Sequence, residues 1–210
     1  MDAPVTDATN IATEPLTVIA CGAIAREIGA VLAANRLEHV TLTCLPAILH
    51  NAPQKIVPAV EAAIAAAREQ GCQRIFVAYA DCGTGGGLDA LCLRETVARI
   101  PGPHCYAFFR GNAQFAEEAE EHLTTFWLTD FLARQFEAFV AKPFKLDRHP
   151  EMVGMLFGHY ERVVYLAQTD DAALDCRGRA IAARLGLAYE RRLVGYGDLT
   201  PALVAAAAGA

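Results

Sequence analysis

Three cysteines stand where chemistry could be organised: Cys21 in IACGAI, Cys82 in YADCGTGG and Cys105 in GPHCYAF. The first two share a strand–Cys–Gly–helix pattern, so a parallel sheet would put both on the same edge. Cys105 joins them if its own strand starts there, or if the loop before it folds over the site. Three converging thiolates suit a soft metal ion or an iron–sulfur cluster. With only three protein ligands, a [4Fe–4S] cluster keeps one iron open to substrate, and a zinc ion keeps its fourth position for water. Two other readings stand beside this one. Cys82 could be an activated thiolate nucleophile, or all three could be small buried apolar side chains.

The stretch Arg74 to Asp89, RIFVAYADCGTGGGLD, carries the second motif. Ile75 to Ala80 reads as a buried strand, followed by Cys82 and by Gly83, Gly85, Gly86 and Gly87. Strand, glycine loop and helix together gather backbone N–H groups at a positive helix end. This predicts a lowered pKa for Cys82 and a cradle of Gly83, Thr84, Gly85 and Gly86 for a small anionic or amine-bearing substrate. No nucleotide signature is met: no lysine follows the glycines, and their spacing is not that of the dinucleotide fingerprint.

Around these sit further candidates. His50 and Asn51 follow a strand and precede Pro53; His50 is a ligand or general acid–base candidate and Asn51 a substrate contact, with a turn or cap role as the alternative. His104, beside Cys105, is a second ligand or proton donor. Asp89 could hold Mg²⁺, a substrate amine or the glycine loop, or simply serve the helix dipole. Asp130 either caps a helix together with Thr129 or projects into the site. Cys44, Cys72, Cys92 and Cys176 read as packing residues.

The totals narrow the classes. Seven cysteines with no C-x-x-C pair exclude a zinc ribbon or thioredoxin motif, so a metal site must be assembled from distant residues. A net charge of −6 without a basic run argues against nucleic acid or an anionic membrane as partner. No apolar stretch approaches the roughly 20 residues that span a bilayer, and the acidic N-terminus lacks the features of a signal peptide. The expectation is a cytoplasmic protein.

Strands alternating with helices predict an α/β, Rossmann-like layered fold with a largely parallel sheet flanked by helices. Strands are expected at 16–20, 40–45, 75–80, 104–109, 163–167 and 188–194. A single helix is expected over 88–100. The aromatics of 124–140 (Phe126, Trp127, Phe131, Phe136, Phe139) read at helical spacing as core or homodimer packing. A loose tail is expected at 1–14, one domain at 15–200 and an Ala-rich tail at 201–210, read as a frayed helix. In such sheets ligands bind beyond the carboxyl ends of the strands.

The blocks CGAIAREI, ILHNAPQKI, YADCGTGGGLDALC, IPGPHCYAFFRG and TDFLARQF, with LDRHP and RVVYLAQTD, resemble the DUF1638 family over about residues 17–199. The resemblance implies no activity. It implies positions: Cys21, His50, Asn51, Cys82, Gly83, Gly85, Gly86, Asp89, His104, Cys105 and Asp130. It also implies an association with corrinoid-dependent methyltransferase systems of methylamine metabolism, although the D-x-H-x-x-G cobalamin motif is absent. The leading expectation is an enzyme acting on a small polar substrate through a metal ion or [4Fe–4S] cluster on Cys21, Cys82 and Cys105. The alternatives are a cofactor-binding or metal-delivery accessory protein of such a system, and a Cys82 nucleophile enzyme.

Overall fold

The computed structural model describes residues 14–209, so the tail expected at 1–14 lies almost wholly outside it. The chain forms two compact units, one reaching to Cys105 and including the segment from Leu199 on, the other Tyr106–Asp198.

The first unit holds β1 (Leu16–Cys21), β2 (Val40–Leu45), β3 (Arg74–Ala78) and β4 (Ala98–Arg99), in the order β2-β1-β3-β4. Every pairing is parallel, with Cys21 opposite Leu45 and Ala20 opposite Ala78. Val18, Ile19, Val77 and Ala78 are fully buried, as central strands covered on both faces require. Helix α1 (Ala25–Ala34) buries Ile28 and Val31, and α2 (Ile56–Glu69) buries Ile56, Val60 and Ile64, each set at helical spacing. Pro53 opens a 3₁₀ turn ahead of α2, as its fixed φ favours. Helix α3 (Gly87–Glu95) is shorter than the expected 88–100. Thr96 turns left-handed at φ 53°, and the chain re-enters the sheet as β4, with Ile100 donating to Val77 O at 3.1 Å. The Ala-rich end is helical as expected, and over the described residues it is packed rather than frayed. It is a helix, Leu199–Ala208, burying Leu203 and Ala207, and Arg74 donates to the carbonyls of Ala206 and Ala207.

The strand expected at 104–109 is helix α4 (Cys105–Arg110). Its aromatic residues favour strands in isolation, but burying Ala107, Phe108 and Phe109 together decides the conformation. The second unit continues with α5 (Asn112–Glu117), α6 (Ala119–His122), β5 (Thr125–Thr129), α7 (Asp130–Phe136), α8 (Met152–Phe157), β6 (Arg162–Ala167), α9 (Ala172–Leu185) and β7 (Ala188–Leu193). Its sheet is also parallel, in the order β5-β6-β7. The aromatic run of 124–140 is therefore a strand and then a helix. Phe126 packs edge-on to Phe136 and Phe157 inside the unit. The α/β alternation read from the sequence is present, with the strands shared between two parallel sheets.

Candidate functional site

The carboxyl ends of β1 and β3 bring the cysteines together. Cys21 ends β1, and its Sγ accepts from the Ala23 N–H at 3.5 Å. The next residue has to be glycine. A Cβ on Gly22 would lie 2.9 Å from Leu45 O, so only glycine lets the exit of β1 lie so close to that of β2. Cys82 lies four residues past the end of β3 in a left-handed conformation, φ 47°. Asp81 N–H donates to Gly102 O at 3.0 Å and Cys82 N–H to Pro103 O at 2.9 Å. These bonds lay the 101–104 loop along the β3 exit and deliver Cys105 at the start of α4. The loop, not a strand, is what recruits the third thiol.

The three sulfurs act on one another. Burial pushes the Cys82 thiol up to about 12, with the charge of Cys21 adding to it and Arg99 opposing. Burial also raises Cys105 well above the usual thiol range, reinforced by Cys82, Cys21 and the carboxylate of Glu27. Cys21 is raised by burial too, against the Ala23 N–H and the Tyr79 hydroxyl, which favour its thiolate. The lowered pKa expected for Cys82 is thus reversed: its sulfur is enclosed, and the loop's donors go elsewhere.

They go to Asp81. Its carboxylate accepts from Gly85 N–H at 3.1 Å, Gly86 N–H at 2.9 Å and Thr84 Oγ1 at 2.5 Å. Burial alone would raise this carboxyl, but these bonds outweigh it and hold it below the usual range. The anion in the glycine cradle is the chain's own side chain. The positive φ of Gly83, Gly85 and Gly86 is what aims those N–H groups inward.

Tyr79, one residue past β3, is 1% exposed. It leans on Cys21, and the charges of Cys21, Cys82 and Cys105 all raise its pKa, after burial itself. Glu27 of α1, 4% exposed, acts on Cys105 as well. Sequence reasoning passed over Tyr79, Glu27 and Asp81. A polar atom closing an apolar strand, and an acid just before a glycine loop, were the available signals.

A family model described as "Protein of unknown function (DUF1638)" matches residues 44–203. The chain belongs to the DUF1638 family. Neither the curated proteins nor the solved structures contain a match. The DUF1638 match takes in His50, Cys82, Cys105 and Asp130, while Cys21 precedes it.

The other positions are distributed differently. His50 and Asn51 sit in the 3₁₀ turn Ala47–Asn51 past the end of β2, and partial enclosure of the ring lowers the His50 pKa. Among the described residues no hydrogen bond or ion pair ties His50 to the thiols. His104 precedes Cys105 in the recruited loop. Asp89 is held by Arg99, Nε to Oδ1 at 2.6 Å and Nη2 to Oδ2 at 2.8 Å, and this pairing lowers its pKa. Asp130 belongs to the second unit, 1% exposed, with Tyr165, Gln168 and Thr169 donating to its carboxylate. Thr129 caps α7, its Oγ1 accepting from Leu132 N–H at 3.3 Å. Of the four cysteines read as packing, Cys92 is buried, but Cys44 and Cys176 are exposed, and Cys44 is near enough to Cys21 to feel its charge.

Among the described residues no three His, Cys, Asp or Glu side chains form a group that could hold a metal ion as they stand. A cleft of about 380 Å³ in the first unit is lined by Leu16, Arg74, Phe76, Ala202 and Ala206. It opens at the amino ends of β1 and β3, away from the chemistry. No helix among the described residues is long and apolar enough to cross a membrane.

Proposed function

We propose that the chain is an enzyme carrying an iron–sulfur cluster on Cys21, Cys82 and Cys105, with one iron left open to a small polar substrate. The observation that carries this is placement: Cys21 at the exit of β1, Cys82 past the exit of β3 and Cys105 after the loop bonded to that exit all lie at one end of a parallel sheet. Burial beside Glu27 opposes ionisation of the thiols, and a cationic inorganic core would favour their thiolate forms. A single tetrahedral ion at about 2.3 Å from each sulfur would need the thiolates roughly 3.8 Å apart. In a polynuclear core the irons are themselves separated, so the thiolates need not meet so closely. The open iron would act as a Lewis acid. His50, kept neutral near pH 7 by its lowered pKa, is the candidate proton acceptor. The nucleophile reading is weaker, because a thiol near 12 is almost wholly protonated at neutral pH.

Anaerobic reconstitution with iron and sulfide tests this. The wild type should turn brown and hold iron and acid-labile sulfide, and Cys21→Ser, Cys82→Ser and Cys105→Ser should each lose most of both. Cys176→Ser should retain them. A colourless wild type, or loading indifferent to all three substitutions, would end the proposal.

A further inference from the structure

We propose that the groove between α7 and α9 in the second unit binds a small organic carboxylate with a compact apolar body. This site is independent of the cluster reading and belongs to the other unit of the chain. On α9, Arg177, Ile181 and Arg184 recur at i, i+4 and i+7, which puts them on one helix face. They line a cleft of about 260 Å³ together with Arg134 and Phe136 of α7 and Glu137 just beyond it. Phe136 and Ile181 are 4% and 7% exposed, so they give the cleft an apolar floor, edged by three guanidinium groups. Those three groups are not equally engaged. Arg184 pairs with Glu137 and lies over the Phe136 ring, 5.8 Å from its centroid, which fixes it as a wall of the cleft. Arg134 approaches Asp130 at 3.6 Å, too far for a hydrogen bond, and that carboxylate already accepts from Tyr165, Gln168 and Thr169. Arg177 has neither an ion pair nor a hydrogen bond among the described residues. With Glu137 and Asp130 set against Arg184 and Arg134, one positive charge is left over, and a single carboxylate matches it. Guanidinium N–H donors left unspent suit a planar oxyanion. The floor requires the rest of the ligand to be apolar. A cleft below the roughly 300–1,000 Å³ of drug-sized sites keeps that body compact.

Benzoate and its uncharged isostere benzamide are the probes, titrated into the full-length protein without added iron and followed by ligand-observed nuclear magnetic resonance. Benzoate should bind with a Kd of about 1 mM or tighter, and about tenfold more tightly than benzamide. Acetate, which has the charge without the apolar body, should bind about tenfold more weakly than benzoate. Arg177 is exposed, so Arg177→Gln should melt as wild type does, and it should weaken benzoate about tenfold. Arg134→Gln should weaken it as well. Arg148→Gln, whose side chain is 80% exposed and lies outside the cleft, should not. No binding of benzoate, equal affinity for benzamide, or wild-type binding by both Arg134→Gln and Arg177→Gln would overturn the site. Acetate binding as tightly as benzoate would reduce it to retention of anions on a cationic surface, and overturn it too. Phenyl phosphate binding more tightly than benzoate would overturn the assignment to a single carboxylate. Because neither iron nor sulfide is present, failure here leaves the proposed function standing, and failed reconstitution leaves this site standing.

Discussion

Each unit buries a tyrosine near the exit of a parallel strand, and the two are treated in opposite ways. In the second unit Tyr165 donates to Asp130 Oδ1 at 2.6 Å. Gln168 N–H and the Thr169 hydroxyl donate to the same carboxylate, and the Asp130 N–H donates to Gln168 Oε1 at 2.7 Å. In the first unit Tyr79 meets thiols instead of a carboxylate, with its hydroxyl against Cys21. The first arrangement is closed. It joins the exit of β5 to that of β6 and leaves nothing for a ligand to do. The second sets three thiols where the other unit has a carboxylate, and under the proposed function those thiols would hold the cluster.

The comparison breaks most readily at Asp130. Asp130→Ala strands three buried or half-buried donors at once, and it should cost about 3–5 kcal/mol in urea unfolding. A loss below about 1 kcal/mol would mean the network is not what closes the second unit. In the first unit the equivalent closed element is Asp81 on the glycine loop, so Asp81→Ala should cost about 1–3 kcal/mol. Its folded pKa lies below the unfolded value, so the wild type holds this contribution in full above about pH 5. It loses it as pH falls through the ordinary carboxylate range towards the lower folded pKa. Asp81→Ala should accordingly be the less acid-sensitive protein over that window, and parallel pH–stability curves for the two would remove Asp81 as the loop's anchor. Tyr165→Phe should cost about 1–2 kcal/mol by leaving Asp130 short of a donor. The same exchange at Tyr79 should cost less than about 1 kcal/mol in the same unfolding measurement, because a thiol is a weaker acceptor than a carboxylate, so the pair of tyrosines tests the contrast directly.

The α/β alternation was legible because buried parallel strands are short uncharged runs, and because Ile56, Val60 and Ile64 recur at helical spacing. So were Cys21 and Cys82, which simply follow their strands. What failed were segments where tertiary packing overrides local preference. HCYAFF reads as a strand but buries its aromatics as a helix. FWLT, read on a helical period, is part of β5, with Phe126 and Leu128 in one core cluster and Trp127 in another. Cys105 could only be conditional from sequence, because its place depends on two backbone hydrogen bonds from the β3 exit to the 101–104 loop. Asp81 escaped because glycine-rich loops suggest an external anion, and nothing in the spacing says that the preceding side chain folds back to fill the cradle.

Asp89 gives the smallest and most discriminating effect. Its carboxylate takes the guanidinium fork of Arg99, whose own side chain is 9% exposed against 62% for Asp89. Arg99 is fixed independently through the carbonyls of Tyr79 and Ile100. The exposed acid thus neutralises an arginine that the backbone already holds, and Asp89→Asn should cost less than about 1 kcal/mol. It should also leave iron and sulfide loading as in wild type. If Asp89→Asn instead abolished loading while folding normally, Asp89 would have to act on the bound group. The open character assigned to the thiol end would then extend across α3 to its solvent face.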